Sequence, residues 1–226
     1  MPAGTITALS MQTGDHERVN VFVDGAFAIG VDIATLQREG LYKGKVLSEE
    51  DWARLMRAES DQKAWHAALR LLEVRPRAER EIRDRLRRKE FEPEQIDQTI
   101  SRLRDLGLLD DAQFARLWVA NRAATSPKGA QALRYELISK GVDRQVASEI
   151  VENALDAARE AEMCEQVARK ALPRYAASPD RATFQRKLGG LLQRRGFGWD
   201  TVGPVLDRLW KETGGRSTGS EDEDES

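Results

Sequence analysis

The stretch EIRDRLRRKEFEPEQIDQTISRL, residues 81–103, recurs in altered form along a chain of 226 residues. Laid without a gap over residues 187–209, its apolar positions fall on apolar positions, beginning with Ile82 on Leu188. A weaker copy begins at residue 132 once one residue is omitted from the turn. Self-similarity of this length is typical of a repeat protein, so the chain is predicted to carry one structural unit three times.

Each unit has the apolar spacing of two amphipathic helices. Ile82 and Leu86 are one helical turn apart, and a second stripe at helical spacing follows a short turn. Another helical pattern precedes each copy, at residues 63–74, 112–123 and 159–175. The fold class is therefore predicted as mostly α with three tandem three-helix repeats. The predicted repeats occupy residues 61–108, 109–157 and 158–212.

Prolines mark the predicted starts of several helices. Pro93, Pro127 and Pro179 are expected at first helical positions, with Ser126 and Ser178 as the N-caps of the last two.

Glycines are expected to end helices in the left-handed conformation, and these are Gly107, Gly141 and Gly196. The first repeat carries Glu90 at the position that matches Gly141 and Gly196. A non-glycine residue in that conformation costs roughly 1 kcal/mol. Either the first repeat accepts this cost or its helix ends differently.

Residues 1–60 are predicted to form a small α+β domain. Alternating apolar residues flank the pair Asp24-Gly25, which is typical of a two-residue β-hairpin turn. Asp32 is expected to cap a short helix, and residues 43–47 to add another strand.

Ser48 and Asp51 have the spacing of a capping box and predict the start of a further helix. The buried side of this helix is expected to be Trp52, Leu55 and Met56. Residues 59–62 are expected to form the junction to the first repeat.

Composition excludes several classes of protein. No apolar run approaches the roughly 20 residues that a membrane-spanning helix needs, and no secretory signal pattern opens the chain. Cys164 is the only cysteine, which excludes an internal disulfide and a cysteine zinc cluster. We expect a soluble cytoplasmic protein in which residues 213–226 form a disordered acidic tail.

Charge is segregated along the chain although the formal net charge is only -2. Three i,i+4 pairs would each occupy one arginine: Glu79-Arg83, Glu81-Arg85 and Asp84-Arg88. The remaining cations are candidates for a shared face that binds a polyanion or a protein, and an ordinary solvated surface is the alternative. The candidate contact residues are Arg77, Arg80, Arg87, Lys89, Arg122, Lys128, Arg134, Lys140, Arg194 and Arg195.

The sequence shows no constellation typical of an enzyme or a metal site. Asp110 is expected to cap a helix, and Phe114 and Trp118 to lie in the core rather than to stack on bases. Tyr135 points away from its apolar neighbours and is open to a contact role. We therefore predict no catalytic residue, no metal ligand and no cofactor.

Two stretches form a specific combination: LLDDAQFARLWVANR (residues 108–122) and PKGAQALRYELISKGVD (residues 127–143). A weaker third copy ends in RRGFGWDTVGPVLDRLW (residues 194–210). With this combination the chain resembles the RecX family, bacterial regulators of the RecA recombinase. The hairpin VFVDGAFAIGV (residues 21–31) is similar to the amino-terminal β extension of some members.

This resemblance implies a non-enzymatic, elongated and curved array of repeats that binds the RecA nucleoprotein filament. Family members restrain filament growth, ATP hydrolysis and co-protease activity. The implied partners of this chain, expected to be a monomer, are therefore the RecA filament and its single-stranded DNA, with weak direct DNA binding.

Two other functions stay open on the sequence alone. One is a regulator that binds DNA directly without RecA, and the other is a helical scaffold for a different partner. The acidic run at residues 221–225 is hypothesised to fold back onto the basic third repeat and to compete with DNA or RecA.

Overall fold

The computed structural model describes residues 3–213 and divides into two compact units. The first unit extends to Leu109, and the second begins at Asp110. The predicted tail lies outside the described residues except for Thr213, and so does the acidic run at 221–225. No helix between residues 3 and 213 combines the length and the apolar character needed to cross a membrane.

The first unit opens with a four-stranded antiparallel sheet in the order β3-β2-β1-β4. Its strands are β1 (Gly4–Gln12), β2 (Asp15–Val23), β3 (Ala26–Asp32) and β4 (Val46–Leu47). Asp24 and Gly25 have φ angles of 49° and 87° between the paired residues Val23 and Ala26. Two successive positive φ angles are the signature of the turn that Asp-Gly favours. The predicted hairpin is confirmed.

Two helices follow the hairpin, α1 (Ile33–Arg38) and α2 (Glu49–Val74). Asp32 caps α1 by accepting a hydrogen bond from the Ala34 N–H at 2.7 Å, as expected. The capping box of Ser48 and Asp51 is also present at the start of α2. Leu55 of α2 packs into the apolar core of the sheet.

Helix α2 continues without a break through residues 59–62, where the junction to the first repeat was expected. Glu59 is only 1% exposed, and its carboxylate accepts hydrogen bonds from the Arg18 guanidinium at 2.7 Å and the Asp32 N–H at 3.0 Å. Trp65, further along α2, already packs in the core of the first repeat. One helix therefore serves both cores. The expected burial of Met56 is also wrong, since this side chain is 46% exposed.

The later turns of α2 form the first three-helix repeat together with α3 (Glu79–Arg87) and α4 (Pro93–Asp105). Pro93 occupies the first helical position of α4, as predicted. The stripe residues predicted to face inward are buried, and these are Ile82, Leu86, Ile96, Ile100 and Leu103.

The second unit contains the other two repeats. The second repeat consists of α5 (Asp111–Thr125), α6 (Ala130–Ser139) and α7 (Arg144–Ala154). Asp110 caps α5 by accepting a hydrogen bond from the Gln113 N–H at 2.9 Å, which confirms its expected role. Phe114 is buried as predicted.

The third repeat has an irregular middle helix. It consists of α8 (Ala157–Ala171), a 3-10 turn (Leu172–Arg174), α9 (Arg181–Phe184), a π-helical turn (Gln185–Gly189), α10 (Gly190–Arg194) and α11 (Trp199–Glu212). The segments α9 to α10 follow one another without a break and together take the place of α3 in the first repeat. Leu188 and Leu192, which align with Ile82 and Leu86, are buried.

Two predicted helix starts are wrong. Helix α6 begins after Gly129 rather than at Pro127, and Ser126 is not its N-cap. The Gly129 N–H is already bound to the Arg195 carbonyl oxygen at 3.0 Å, and Gly129 itself has an extended backbone with φ -71° and ψ 165°.

Helix α9 begins after Asp180 rather than at Pro179, so Ser178 is not its N-cap either. The Asp180 carboxylate accepts a hydrogen bond from the Thr183 N–H at 2.7 Å. A negative charge beside the first turn of a helix is a strong cap, because it also opposes the positive end of the helix dipole.

The left-handed helix ends are confirmed at Gly107, Gly141 and Gly196, with φ angles of 67°, 99° and 84°. Glu90 adopts the same conformation with a φ of 62°. Its N–H donates to the Arg87 carbonyl oxygen at 2.9 Å. The first repeat therefore ends α3 in the same way as the other repeats and accepts the cost of a side chain there.

Candidate partner-binding surface

The arginines of α3 are paired differently from the sequence prediction. Glu79 and Arg83 form the expected ion pair at 2.8 Å. Glu81 instead binds Arg75 at 2.7 Å and also Arg77, so the predicted pair with Arg85 is wrong.

The predicted pair of Asp84 with Arg88 is also wrong. Asp84 binds Arg87 across one turn at 3.0 Å. Both members of this pair are well exposed, and such surface pairs contribute about 0–1 kcal/mol. Arg87 therefore stays available to a partner.

The corrected pairing leaves a group of exposed cations on the first repeat. Arg80, Arg85, Arg88 and Lys89 form no ion pair with any residue of the described chain. Together with Arg87 they make up what we call the first basic face. An exposed cation without a carboxylate partner keeps its full charge for a phosphate or an acidic protein surface.

Arg77, a sequence candidate, has its charge engaged inside the first repeat. Its side chain is 9% exposed, forms an ion pair with Glu81 and donates to the Leu71 carbonyl oxygen at 2.8 Å. This contact satisfies a carbonyl group in the last turn of α2. We therefore leave Arg77 out of the candidate surface.

The second repeat gathers its cations around Trp118. The indole N–H donates to Glu136 at 2.8 Å, and the Arg122 Nε donates to the same carboxylate at 2.9 Å. Lys128 forms an ion pair with the second oxygen of Glu136. The Arg122 guanidinium and the Lys140 ammonium lie over the Trp118 ring, 4.5 Å and 4.1 Å from its centroid.

We call this group, formed by Trp118, Arg122, Lys128, Glu136 and Lys140, the tryptophan cluster. Trp118 is half-buried and stacks on Phe114, so the expected core position is right for Phe114 and partial for Trp118. The cluster contains three cations and a single carboxylate, which binds two of them, and it therefore carries an excess of positive charge.

The pKa of Glu136 reflects this surrounding. Partial burial raises it, but the hydrogen bonds from Lys128, Trp118 and Arg122 outweigh that effect and hold the pKa below its usual value. The carboxylate is thus charged near neutral pH and orients all three donors.

Two further candidates lie beside the tryptophan cluster on α6. Arg134 binds Glu152 at 3.3 Å, while its Nε is buried without a hydrogen-bond partner. Tyr135 is 75% exposed, so its predicted outward orientation is confirmed. Its contact role stays a prediction.

The third repeat presents four exposed cations on its middle helix, and these are Arg186, Lys187, Arg194 and Arg195. None of the four forms an ion pair within the part of the chain that the structure describes. We call them the third basic face. Arg186 and Lys187 align with Arg80 and Glu81 of the first repeat, so only part of this face repeats the pattern of the first.

A cation occupies the same position in all three repeats, but its environment differs from repeat to repeat. Lys89, Lys140 and Arg195 each directly precede the left-handed residue that ends the middle helix. Lys89 is exposed, and Lys140 covers an indole ring. The Arg195 side chain is also exposed, while its carbonyl oxygen accepts the Gly129 N–H. The positive charge at this position is therefore common to the three repeats, whereas the contacts of the side chain differ.

Sequence reasoning missed Arg85, Arg88 and Glu136. The first two were assigned to ion pairs because the i,i+4 rule considers only residues within the helix, whereas Glu81 is bound by residues that precede α3. For Glu136, the signal was a single carboxylate on a helix flanked by cations at 128, 134 and 140.

Other reactive groups do not assemble into a site. Cys164 is buried, and burial raises the pKa of its thiol to about 12, so the thiol is protonated and unreactive near neutral pH. Residues 3–213 contain no group of three or more histidine, cysteine or acidic side chains placed to hold a metal ion.

Family models match the chain in four consecutive segments. The RecX N-terminal domain matches residues 4–48, and the first, second and third three-helix domains of RecX match residues 64–103, 110–155 and 158–206. The matched order agrees with the sheet and the three repeats described above.

Curated relatives and solved structures agree with these matches. A regulatory protein RecX of Clostridium acetobutylicum is 30% identical over 94% of this chain and 99% of its own length, and one of Listeria monocytogenes is 34% identical over 84% of this chain and 70% of its own. A crystal structure of regulatory protein RecX has a TM-score of 0.76 with 25% identity over 90% of this chain and 99% of its own. A RecX crystal structure from Lactobacillus salivarius has a TM-score of 0.62 with 28% identity over 67% of this chain and 97% of its own. Because sequence, domain order and fold coincide over nearly the whole described chain, this protein belongs to the RecX family of regulatory proteins.

Proposed function

We propose that this chain binds the RecA nucleoprotein filament and modulates it, mainly by inhibiting filament growth, ATP hydrolysis and co-protease activity. It acts without catalysis of its own, in the bacterial cytoplasm. Family membership supports the regulatory role, and the distribution of unpaired cations supports a filament as the target.

The observation that carries the proposal is the presence of exposed cations on the first and third repeats and of half-buried cations on the second. The first and third basic faces hold nine such side chains between them, and the tryptophan cluster lies in the repeat between. A RecA nucleoprotein filament repeats the same acidic and phosphate groups along its length. A protein built of repeats can therefore engage it at several points.

Several weak contacts suffice in such an arrangement. An exposed ion pair contributes only about 0.2–1 kcal/mol, yet repeats joined in one chain raise the effective concentration of each contact once another is made. Affinity then depends on the number of faces engaged and falls with salt. The single-stranded DNA inside the filament would contribute phosphates to the same faces.

The test removes cations from both basic faces at once. The variant R80A/K89A/R194A/R195A should inhibit RecA ATPase on single-stranded DNA at least about tenfold less well, because four unpaired charges are lost. The matched control R38A/R54A/R181A/R208A removes four exposed arginines that are already paired with carboxylates. Equal inhibition by the two variants would contradict the proposal.

Direct DNA binding without RecA is the second candidate. The observation that favours it is the row of exposed arginines on α3, the middle helix of a three-helix unit, which is the type of helix that enters a DNA groove. Co-sedimentation with RecA filaments is compared with binding to bare single-stranded and duplex DNA at several salt concentrations. Tight, steeply salt-dependent binding to bare duplex would favour this second function.

A further inference from the structure

A cleft of about 400 Å³ opens between the second and third repeats inside the second unit. One wall is the end of α5 and the segment after it, including Ser126. The opposite wall is the end of α8 with Lys170, the following turn with Arg174, and Arg195 after α10.

The charge of this cleft is one-sided. Its lining contains three cations and no carboxylate. Lys170, Arg174 and Arg195 are exposed, and none forms an ion pair within residues 3–213. Lys170 in the last turn of α8 opposes the negative end of the helix dipole. Arg174 lies beyond that helix, so the dipole does not account for its position.

Thr213, the last residue that the structure describes, lies at the same end of the second unit as the cleft. Arg208 of α11 binds Glu165 of α8 at 2.7 Å, and one turn later Glu212 binds Arg169 at 2.8 Å. The two helices therefore run in the same direction. Thr213 follows Glu212 directly, and Lys170 follows Arg169 directly.

We propose that the acidic run Glu221–Glu225 of this same chain binds in the cleft between the second and third repeats. Five consecutive carboxylates complement three cations that form no ion pair with any residue from 3 to 213. Seven residues separate Thr213 from Glu221, and the eight Cα-to-Cα steps between them can span about 26 Å when extended. This length is sufficient to bring the run from the end of α11 to the nearby end of α8.

The consequence is regulation by competition. While the run occupies the cleft, its carboxylates neutralise Arg195, which also belongs to the third basic face. A polyanion must displace the run before it gains those cations. This consequence rests on the proposed function, whereas the intramolecular contact itself does not.

Zero-length carbodiimide crosslinking tests the contact on the full chain without any partner. The reagent joins a lysine ammonium to a carboxylate in direct contact with it. We expect the main crosslink of residues 221–225 to form with Lys170 and to disappear in about 0.5 M salt. Lys211 is closer along the chain, and Lys187 is equally exposed on the third basic face. A run that does not bind the cleft would crosslink mainly to Lys211, and that result would overturn the proposal.

Charge variants provide an independent readout. R174A/R195A should weaken the Lys170 crosslink severalfold, whereas R144A/R159A, which removes two exposed arginines of the same unit away from the cleft, should leave it unchanged. Equal loss in both variants would indicate a general charge effect and count against the cleft.

A last measurement separates the contact from its functional consequence. Replacing the five carboxylates by their amides, as E221Q/D222N/E223Q/D224N/E225Q, should raise the affinity for oligo-dT about tenfold at low salt. The gain should shrink in a K170A/R174A background. A full gain in that background would show that the run acts from outside the cleft, while failure of RecA inhibition would concern only the proposed function.

Discussion

The backbone N–H of Gly129 donates a hydrogen bond to the carbonyl oxygen of Arg195, with 3.0 Å between nitrogen and oxygen. The next residue, Ala130, donates its N–H to the Glu160 carboxylate at 2.8 Å. Both donors belong to the start of α6 in the second repeat, and both acceptors belong to the third repeat. The third repeat thus supplies the N-terminal cap that the sequence of α6 lacks.

Gly129→Ala should break this contact. An added Cβ would lie 2.2 Å from the Gly196 carbonyl oxygen, and backbone atoms cannot move aside as a flexible side chain does. We expect a loss of about 1–3 kcal/mol in the free energy of unfolding, since overpacking of a tight contact costs this much. Urea denaturation followed by circular dichroism measures it.

The matched control is Gly198→Ser. Gly198 is also an N-cap glycine of the second unit, but its added Cβ would meet no heavy atom within 4 Å. Serine is a good N-cap, so stability should be unchanged or slightly higher. If Gly129→Ala were as stable as this control, the close approach of the two repeats would be refuted.

The contact also shows where sequence reasoning stops. Ser126-Pro127 has the pattern of a helix start, yet α6 begins later because Arg195, which is remote in the chain, binds the N–H of Gly129. Repeats, apolar stripes and left-handed ends depend on neighbours in sequence and were predictable. A helix start fixed by another repeat was not.

Glu90→Gly should stabilise the first unit. Glu90 has a φ of 62°, a conformation that costs a residue with a side chain roughly 1 kcal/mol or more and costs glycine nothing by sterics. We expect a gain of about 1 kcal/mol in urea denaturation. Glu90→Gln removes the charge but keeps the strained backbone and should give no gain. A gain of equal size in Glu90→Gln would assign the effect to charge.

Glu59→Ala should destabilise the first unit strongly. The substitution leaves Arg18 without its buried partner and the Asp32 N–H without an acceptor. Breaking a buried pair by removing one member costs about 3–5 kcal/mol. Glu73→Ala, at an exposed position of the same helix, is the control and should change stability by less than about 0.5 kcal/mol. Similar midpoints for the two variants would contradict the role of Glu59.

Glu59 explains why the expected junction between the sheet and the first repeat is helical rather than a loop. The stretch around it is polar, and polar stretches between periodic segments usually indicate a connection. Here the carboxylate is buried because it binds the sheet.

For the candidate site, the sequence identified most of the exposed cations. Their ion pairs depended on side-chain directions that the i,i+4 rule does not include, as for Glu81.

Glu136→Gln should make the free energy of unfolding less dependent on pH in the acidic range. The pKa of Glu136 is lower in the folded chain than its usual value, despite partial burial, because Lys128, Trp118 and Arg122 donate to the carboxylate. A carboxylate with a lowered folded pKa stabilises the fold fully above its unfolded pKa, and this contribution is lost as pH falls through the folded pKa. The free energy of unfolding of the unsubstituted chain should therefore fall between about pH 5 and pH 3 more steeply than that of Glu136→Gln. Urea denaturation at a series of pH values measures both slopes. Glu149→Gln is the matched loss of one charge, because Glu149 is an exposed carboxylate on α7 that accepts a hydrogen bond from the neutral Gln145 side chain. Parallel curves for Glu136→Gln and the unsubstituted chain would mean that the tryptophan cluster does not depend on this charge.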